Sequence, residues 1–271
     1  MMKKAVKHLT LAYLIFLALM VLSSGLSGFW GEVAYTLSFL IPIIVIFLLN
    51  KEILEQPSEY LLPKRDSLIM LGALGAPTVI GVMAVSFATN ALIVALSGQT
   101  NEIPTDIPFA TALISSALLP AISEELLFRY LPMKLLLRRS GRVCILLSAV
   151  MFAFAHRSAF SIPYAILGGI LFMLIDIGSG SVIPSVVLHF LNNFLSLAFS
   201  YWGDIPTVKI CLIVILSLLL CGSLAIFVVF RKRIISKIRE AFSAGEPYGS
   251  DPMPLLFIIP CAAFAVLEFI L

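Results

Sequence analysis

The chain has 271 residues, 61% of them hydrophobic and only 12% charged, with a mean hydropathy of +1.09 and a formal net charge of +3. A soluble domain is closer to about half apolar and a quarter charged, so this balance excludes an ordinary soluble globule and points to a polytopic membrane protein. Lipid cannot satisfy open backbone groups, so the expected fold class is all-α, a transmembrane helical bundle of about eight spans with a candidate ninth at the C-terminus.

In chain order, the apolar stretches are Leu9–Leu22, Val33–Leu49, Leu68–Leu96, Phe109–Leu131 with a helical extension to Leu137, Val143–Ala155, Ile162–Ile177, Val182–Tyr201 and Ile210–Phe230, with Pro254–Leu271 as the candidate ninth. The first follows Lys3, Lys4 and Lys7 as a signal peptide would. "SSGLSG" is not a convincing cleavage site, so an uncleaved first span is expected. The third is long enough to tilt, or to break at its glycines and at Pro77. These stretches divide the chain into an N-terminal transmembrane region (1–105), a central core (106–201) and a C-terminal region (202–271).

Basic residues distribute unevenly. With the N-terminus inside, the inner segments hold Lys3, Lys4, Lys7, Lys51, Lys64, Arg65, Lys134, Arg138, Arg139 and Arg142, then the run Arg231–Arg239. The outer loops hold Arg157 and Lys209 alone. The asymmetry places the N-terminus in the cytoplasm. The run "RKRIISKIREAF" reads as an amphipathic interfacial helix held by anionic lipid head groups. Cys144, Cys211, Cys221 and Cys261 all lie in apolar spans at spacings that match no zinc or redox motif, and read as packing residues. No nucleotide loop or internal repeat is present, and no nucleic-acid partner is expected.

The unusual residues are polar ones inside apolar spans. The fourth carries Glu124, Glu125 and Arg129, the fifth ends in "MFAFAHRS" with Phe152 and His156, and the seventh contains "VVLHFLNNF" with His189, Asn192 and Asn193. Glu125 and Arg129 share a helix face and can pair. Glu124 is turned about 100° away and is freer to project into a cavity. His189 and Asn193 also share a face, as do Phe152 and His156.

Glu124 precedes the turn at Gly141, and His156 follows it, by nearly equal lengths of chain. In an antiparallel pair at ~1.5 Å per residue they reach similar heights, with His189 somewhat closer to the cytoplasm. One polar pocket lined by three helices is therefore geometrically feasible. A carboxylate at a helix centre costs roughly 2.5–3.5 kcal/mol on insertion scales, and Arg129 can offset only one of the two. A polar cluster locking the helices, a proton relay, an ion path and a hydrolytic site all fit these residues.

"EELLFR", "FAFAH" and "HFLNN" follow the patterns E-E-x-x-x-R, F-x-x-x-H and H-x-x-x-N, in that order. Together with the lead-in "GSGSVIPSVVLHFLNN", they resemble the CPBP intramembrane proteases. That family includes the type II CAAX prenyl endopeptidases and the bacterial Abi or bacteriocin-immunity proteins. The resemblance covers about Phe109 to Ser200. It implies a multi-pass protein, expected in a prokaryotic cell membrane, that cleaves membrane-associated proteins or peptides. Carried over, Glu124 would be the general base and His156 would help hold the water. His189 and Asn193 would stabilise the oxyanion, and Glu125 and Arg129 would hold the framework.

A carboxylate in a poorly solvated cavity is a stronger base than one in water. Oxyanion donors are worth most where the dielectric is low. No serine or cysteine has a partner base at useful spacing. Two glutamates and two histidines leave zinc open as a ligand, but there is no H-E-x-x-H and adjacent glutamates diverge on a helix, so a metal-independent mechanism is favoured, with no cofactor. A catalytically silent scaffold or immunity protein and a proton-coupled transporter are the alternatives.

Overall fold

The computed structural model describes residues 2–23, 25–26, 28–50, 60–98, 105, 107–138, 140–156 and 161–244. The candidate ninth span, Lys51, Arg139, Arg157 and Cys261 lie outside the described residues. The fold is an all-α bundle with no strand among them. Its helices are α1 (Met2–Ser23), α2 (Gly28–Leu49), α3 (Arg65–Ser97), α4 (Phe109–Leu137), α5 (Gly141–Ala155), α6 (Ile162–Ser179), α7 (Ile183–Trp202) and α8 (Pro206–Ser243). Six are long and apolar enough to cross a membrane, and Val33–Leu49 of α2 and Gly141–Ala155 are shorter apolar helices.

α4 is the central element. It packs on α2, α5 and α7, and its last turns touch α1. It is not a plain α-helix. Leu113–Leu118, Leu126–Tyr130 and Met133–Leu137 are π segments, which widen the turn and recur at functional sites. α3, by contrast, runs unbroken through its glycines and Pro77, so the break admitted by its sequence does not occur.

On one side, Tyr13, Phe16 and Phe39 from α1 and α2 surround Phe128 of α4 at ring-centroid distances of 5.5–6.4 Å. Phe128 in turn meets Phe152 of α5 at 5.9 Å, so an aromatic wall leads from α1 to the interior end of α5. On the other side, α6 packs against both α3 and α5. Close approach there depends on Gly169, where a Cβ would lie 2.7 Å from the Ala149 Cα. Small residues at helix contacts are the main route to tight packing where lipid removes the hydrophobic drive.

The basic run expected as an interfacial helix is helical and continues α8, a single helix of 38 residues. No proline or glycine interrupts it between Phe230 and Ser243. It also packs on protein. Ile234 and Ala241 are fully buried, Gly141 donates its N–H to the Ala244 carbonyl at 2.7 Å, and Arg233 pairs with Asp66 at the foot of α3.

The contact at Gly169 predicts that Gly169→Val overpacks the α5–α6 seam and costs about 1–3 kcal/mol. Its melting temperature in detergent should fall clearly. Gly81→Ala, where a Cβ meets nothing within 4 Å, should leave it unchanged.

Candidate active site

The six residues singled out in the sequence converge. Glu124, His156, His189 and Asn193 line one cavity of about 390 Å³, together with Tyr35, Ser115, Ser116 and Pro120. Glu125 and Arg129 lie behind it, both fully buried.

The two glutamates divide as their angular separation requires. Glu125 Oε2 lies 3.4 Å from Arg129 Nε, within one turn of α4. Its Oε1 lies 2.7 Å from His189 Nδ1 on α7. The paired residue on α4 was expected, but the shorter contact is to another helix. A carboxylate only accepts, so His189 Nδ1 carries the proton and Nε2 is the ring nitrogen left for the cavity. Arg129 also stacks over Phe152, its guanidinium carbon 4.1 Å from the ring centroid. The cation is thus held by a charge on one side and a π face on the other, in a dry setting where both are strong.

Glu124 faces the opposite way. Its Oε1 accepts from the Tyr35 hydroxyl at 3.2 Å, while Oε2 has no hydrogen-bond partner among the described residues. His156 caps the C-terminus of α5, and its Nδ1 lies 2.9 Å from the Phe152 carbonyl. A carbonyl only accepts, so this nitrogen too is the protonated one, and Nε2 carries a lone pair. Glu124 Oε2 and His156 Nε2 are therefore two acceptors, which is what a water with two protons requires.

Asn193 donates through Nδ2 to the Ser116 carbonyl at 3.2 Å, in the first π segment of α4. An amide has two N–H groups, so one remains for a ligand. Among the described residues no three His, Cys, Asp or Glu side chains converge as metal ligands.

Three residues escaped the sequence reading. Tyr35 comes from α2, in the region treated as flanking, and nothing in "EVAYTLSF" marks it. Asp176 and Ser185 are fully buried beside the Glu125–Arg129 pair. Asp176 did carry a signal, since it is the one acid in its span and intramembrane acids are functional candidates by default.

Residues 106–195 match the family model described as Type II CAAX prenyl endopeptidase Rce1-like. That segment is similar to the CAAX-type intramembrane proteases, and with six helices long and apolar enough to cross a membrane the chain is an integral membrane protein. No curated protein and no solved structure matches it.

Two outcomes follow from this geometry. Arg129→Ala leaves Glu125 with His189 as its one remaining ion-pair partner, beside an empty volume, at a cost of about 3–5 kcal/mol. The yield of monodisperse protein in detergent should drop sharply. Normal thermal stability in that variant would refute the pairing. Tyr35→Phe removes one donor to Glu124 and leaves the helices in place. It should fold normally and lose about tenfold in turnover, in line with a hydrogen bond to a charged group.

Proposed function

We propose that this protein is an intramembrane endopeptidase that hydrolyses peptide bonds of membrane-associated proteins or peptides by glutamate-activated water. The observation that carries this reading is that acceptors on Glu124 and His156 line one cavity with His189 and with an Asn193 amide that has an N–H to spare.

Glu124 takes one proton of the water as the oxygen attacks the scissile carbonyl carbon, while His156 Nε2 accepts the other proton in a hydrogen bond. The carbonyl oxygen becomes an oxyanion and accepts from Asn193 Nδ2 and His189 Nε2. Donation from Nε2 requires an imidazolium, whose charge Glu125 offsets through Nδ1. The C–N bond then breaks, and the proton on Glu124 passes to the leaving nitrogen. The products are a carboxylic acid and an amine, and the acid proton passes to the amine as they leave as carboxylate and ammonium. Preorganised donors in a poorly solvated cavity supply most of the acceleration, because they need no reorganisation as charge develops.

Substrate class follows from placement and family. A cavity between apolar helices suits a peptide already held at the membrane, and a prenylated peptide ending in a CAAX box is the substrate that the family match favours. The charge asymmetry supports an N-terminus and an α4–α5 turn on the cytoplasmic side, and the proposed setting is a prokaryotic cell membrane.

The test is turnover of a prenylated CAAX peptide by purified protein in nanodiscs. Glu124→Gln should be inactive yet folded. Asn193→Ala should retain activity reduced about 10²–10³-fold, the typical cost of one oxyanion donor. Phenanthroline should leave turnover unchanged, and activity lost to chelator and restored by zinc would overturn the metal-independent mechanism. Single-cysteine labelling in sealed cells should find position 138 reachable from the cytoplasmic side alone.

A further inference from the structure

Asp176 belongs to none of the three motifs, yet it is fully buried on α6 beside the Glu125–Arg129 pair. Its backbone carbonyl gathers the turn that follows α6. It accepts from Gly180 N at 2.8 Å, Ser181 N at 3.2 Å and Ser179 Oγ at 2.9 Å. Its side chain then reaches past that turn, and Oδ1 accepts the N–H of Ser185 at 3.0 Å.

That last bond closes an account. The first four N–H groups of a helix have no partner within it, and in a membrane they need one. At the start of α7, Val182 N donates to the Tyr60 carbonyl at 2.9 Å, Ile183 N donates to Ser181 Oγ, and position 184 is proline. Ser185 is the remaining donor, and Asp176 is its acceptor. Val182, at the cap position itself, supplies no side-chain bond. Ser185 stands one turn before His189, on the same face, and its side chain adjoins Glu125 as well as Asp176.

We propose that Asp176 is a positioning residue. As a cap supplied from α6, it fixes the first turn of α7 so that His189 meets Glu125 and presents Nε2 to the cavity. A serine, threonine or asparagine at position 182 would cap α7 alone. A cap from α6 also fixes the angle and register between the two helices, and it does so next to the charge pair that His189 must reach. This role rests on the proposed part of His189 in catalysis, but its geometry can be measured without any activity.

The chain has three histidines, so protein labelled with ¹⁵N-histidine gives a spectrum simple enough to follow one ring. The His189 Nδ1–H bound to Glu125 should give a downfield proton resonance, assigned by its loss in His189→Gln. Asp176→Asn retains an oxygen that accepts from Ser185 N. It should keep that resonance, with turnover of the prenylated CAAX peptide within about threefold of the unsubstituted protein. Asp176→Ala should lose the resonance and lower kcat about 10²-fold, the scale of a ~1 Å misplacement, with KM changed less than about threefold. If Asp176→Ala does not fold, Asp176→Asn still decides, because loss of its resonance defeats the capping role. A folded Asp176→Ala with the resonance and kcat intact also overturns the proposal. If the unsubstituted protein does not cleave the peptide, the spectra still test Asp176, and only the proteolytic reading fails.

Discussion

The carboxylate of Glu125 is the constraint on which the site depends. It is fully buried, and it has two partners of different origin, Arg129 one turn along its own helix and His189 on α7. An unpaired carboxylate in this setting is costly, so both partners are held firmly once the helices assemble. Two consequences are geometric. His189 is fixed with Nδ1 protonated and Nε2 free. Glu124, turned about 100° from Glu125 on the helix, has to point away from the charge pair and toward the cavity and α2. The direction of the proposed base is thus set by the residue beside it.

Phe152 ties the second motif to the first. Its ring lies beneath the Arg129 guanidinium, 4.7 Å from the His156 ring and 5.5 Å from that of His189. Phe128 backs it from α4. A phenylalanine here does three things at once. It accepts the cation on its face, orients two imidazoles at its edges, and excludes water from the Glu125 side. The F-x-x-x-H spacing puts this ring one turn before the histidine whose Nδ1 bonds the same residue's carbonyl.

The site was legible where its logic lies within one helix. Glu125 with Arg129, Phe152 with His156, and His189 with Asn193 are all four residues apart, and that spacing alone places each pair on a face. The spans were legible for the same reason, since their lengths and apolar character are local. Contacts between helices were not. Nothing in the spacing of Glu125 and His189 joins them, and the bond that matters most to Glu125 crosses between separate hairpins. Tyr35 was hidden because a tyrosine in an apolar span reads as ordinary packing until its hydroxyl is seen against Glu124. The continuation of α8 was legible as an amphipathic helix, but its packing through Ile234 and Ala241 was not, because that contact lies between helices. The π segments of α4 leave no mark in composition.

Why a membrane span should carry two adjacent glutamates now has a physical answer. The cluster has a dry half and a wet half, and the boundary runs between positions 124 and 125. On the dry side, Glu125 and Arg129 are fully buried, so their fields act through a low dielectric and hold geometry strongly. On the wet side, Glu124 keeps 8% of its surface and shares a cavity with His156 and Asn193. A carboxylate on the dry side alone could orient other groups but could not meet water. One on the wet side alone would have nothing to fix the donors opposite it. Neighbouring positions on a helix are the shortest separation in sequence that faces two environments at once, and one turn of α4 supplies both.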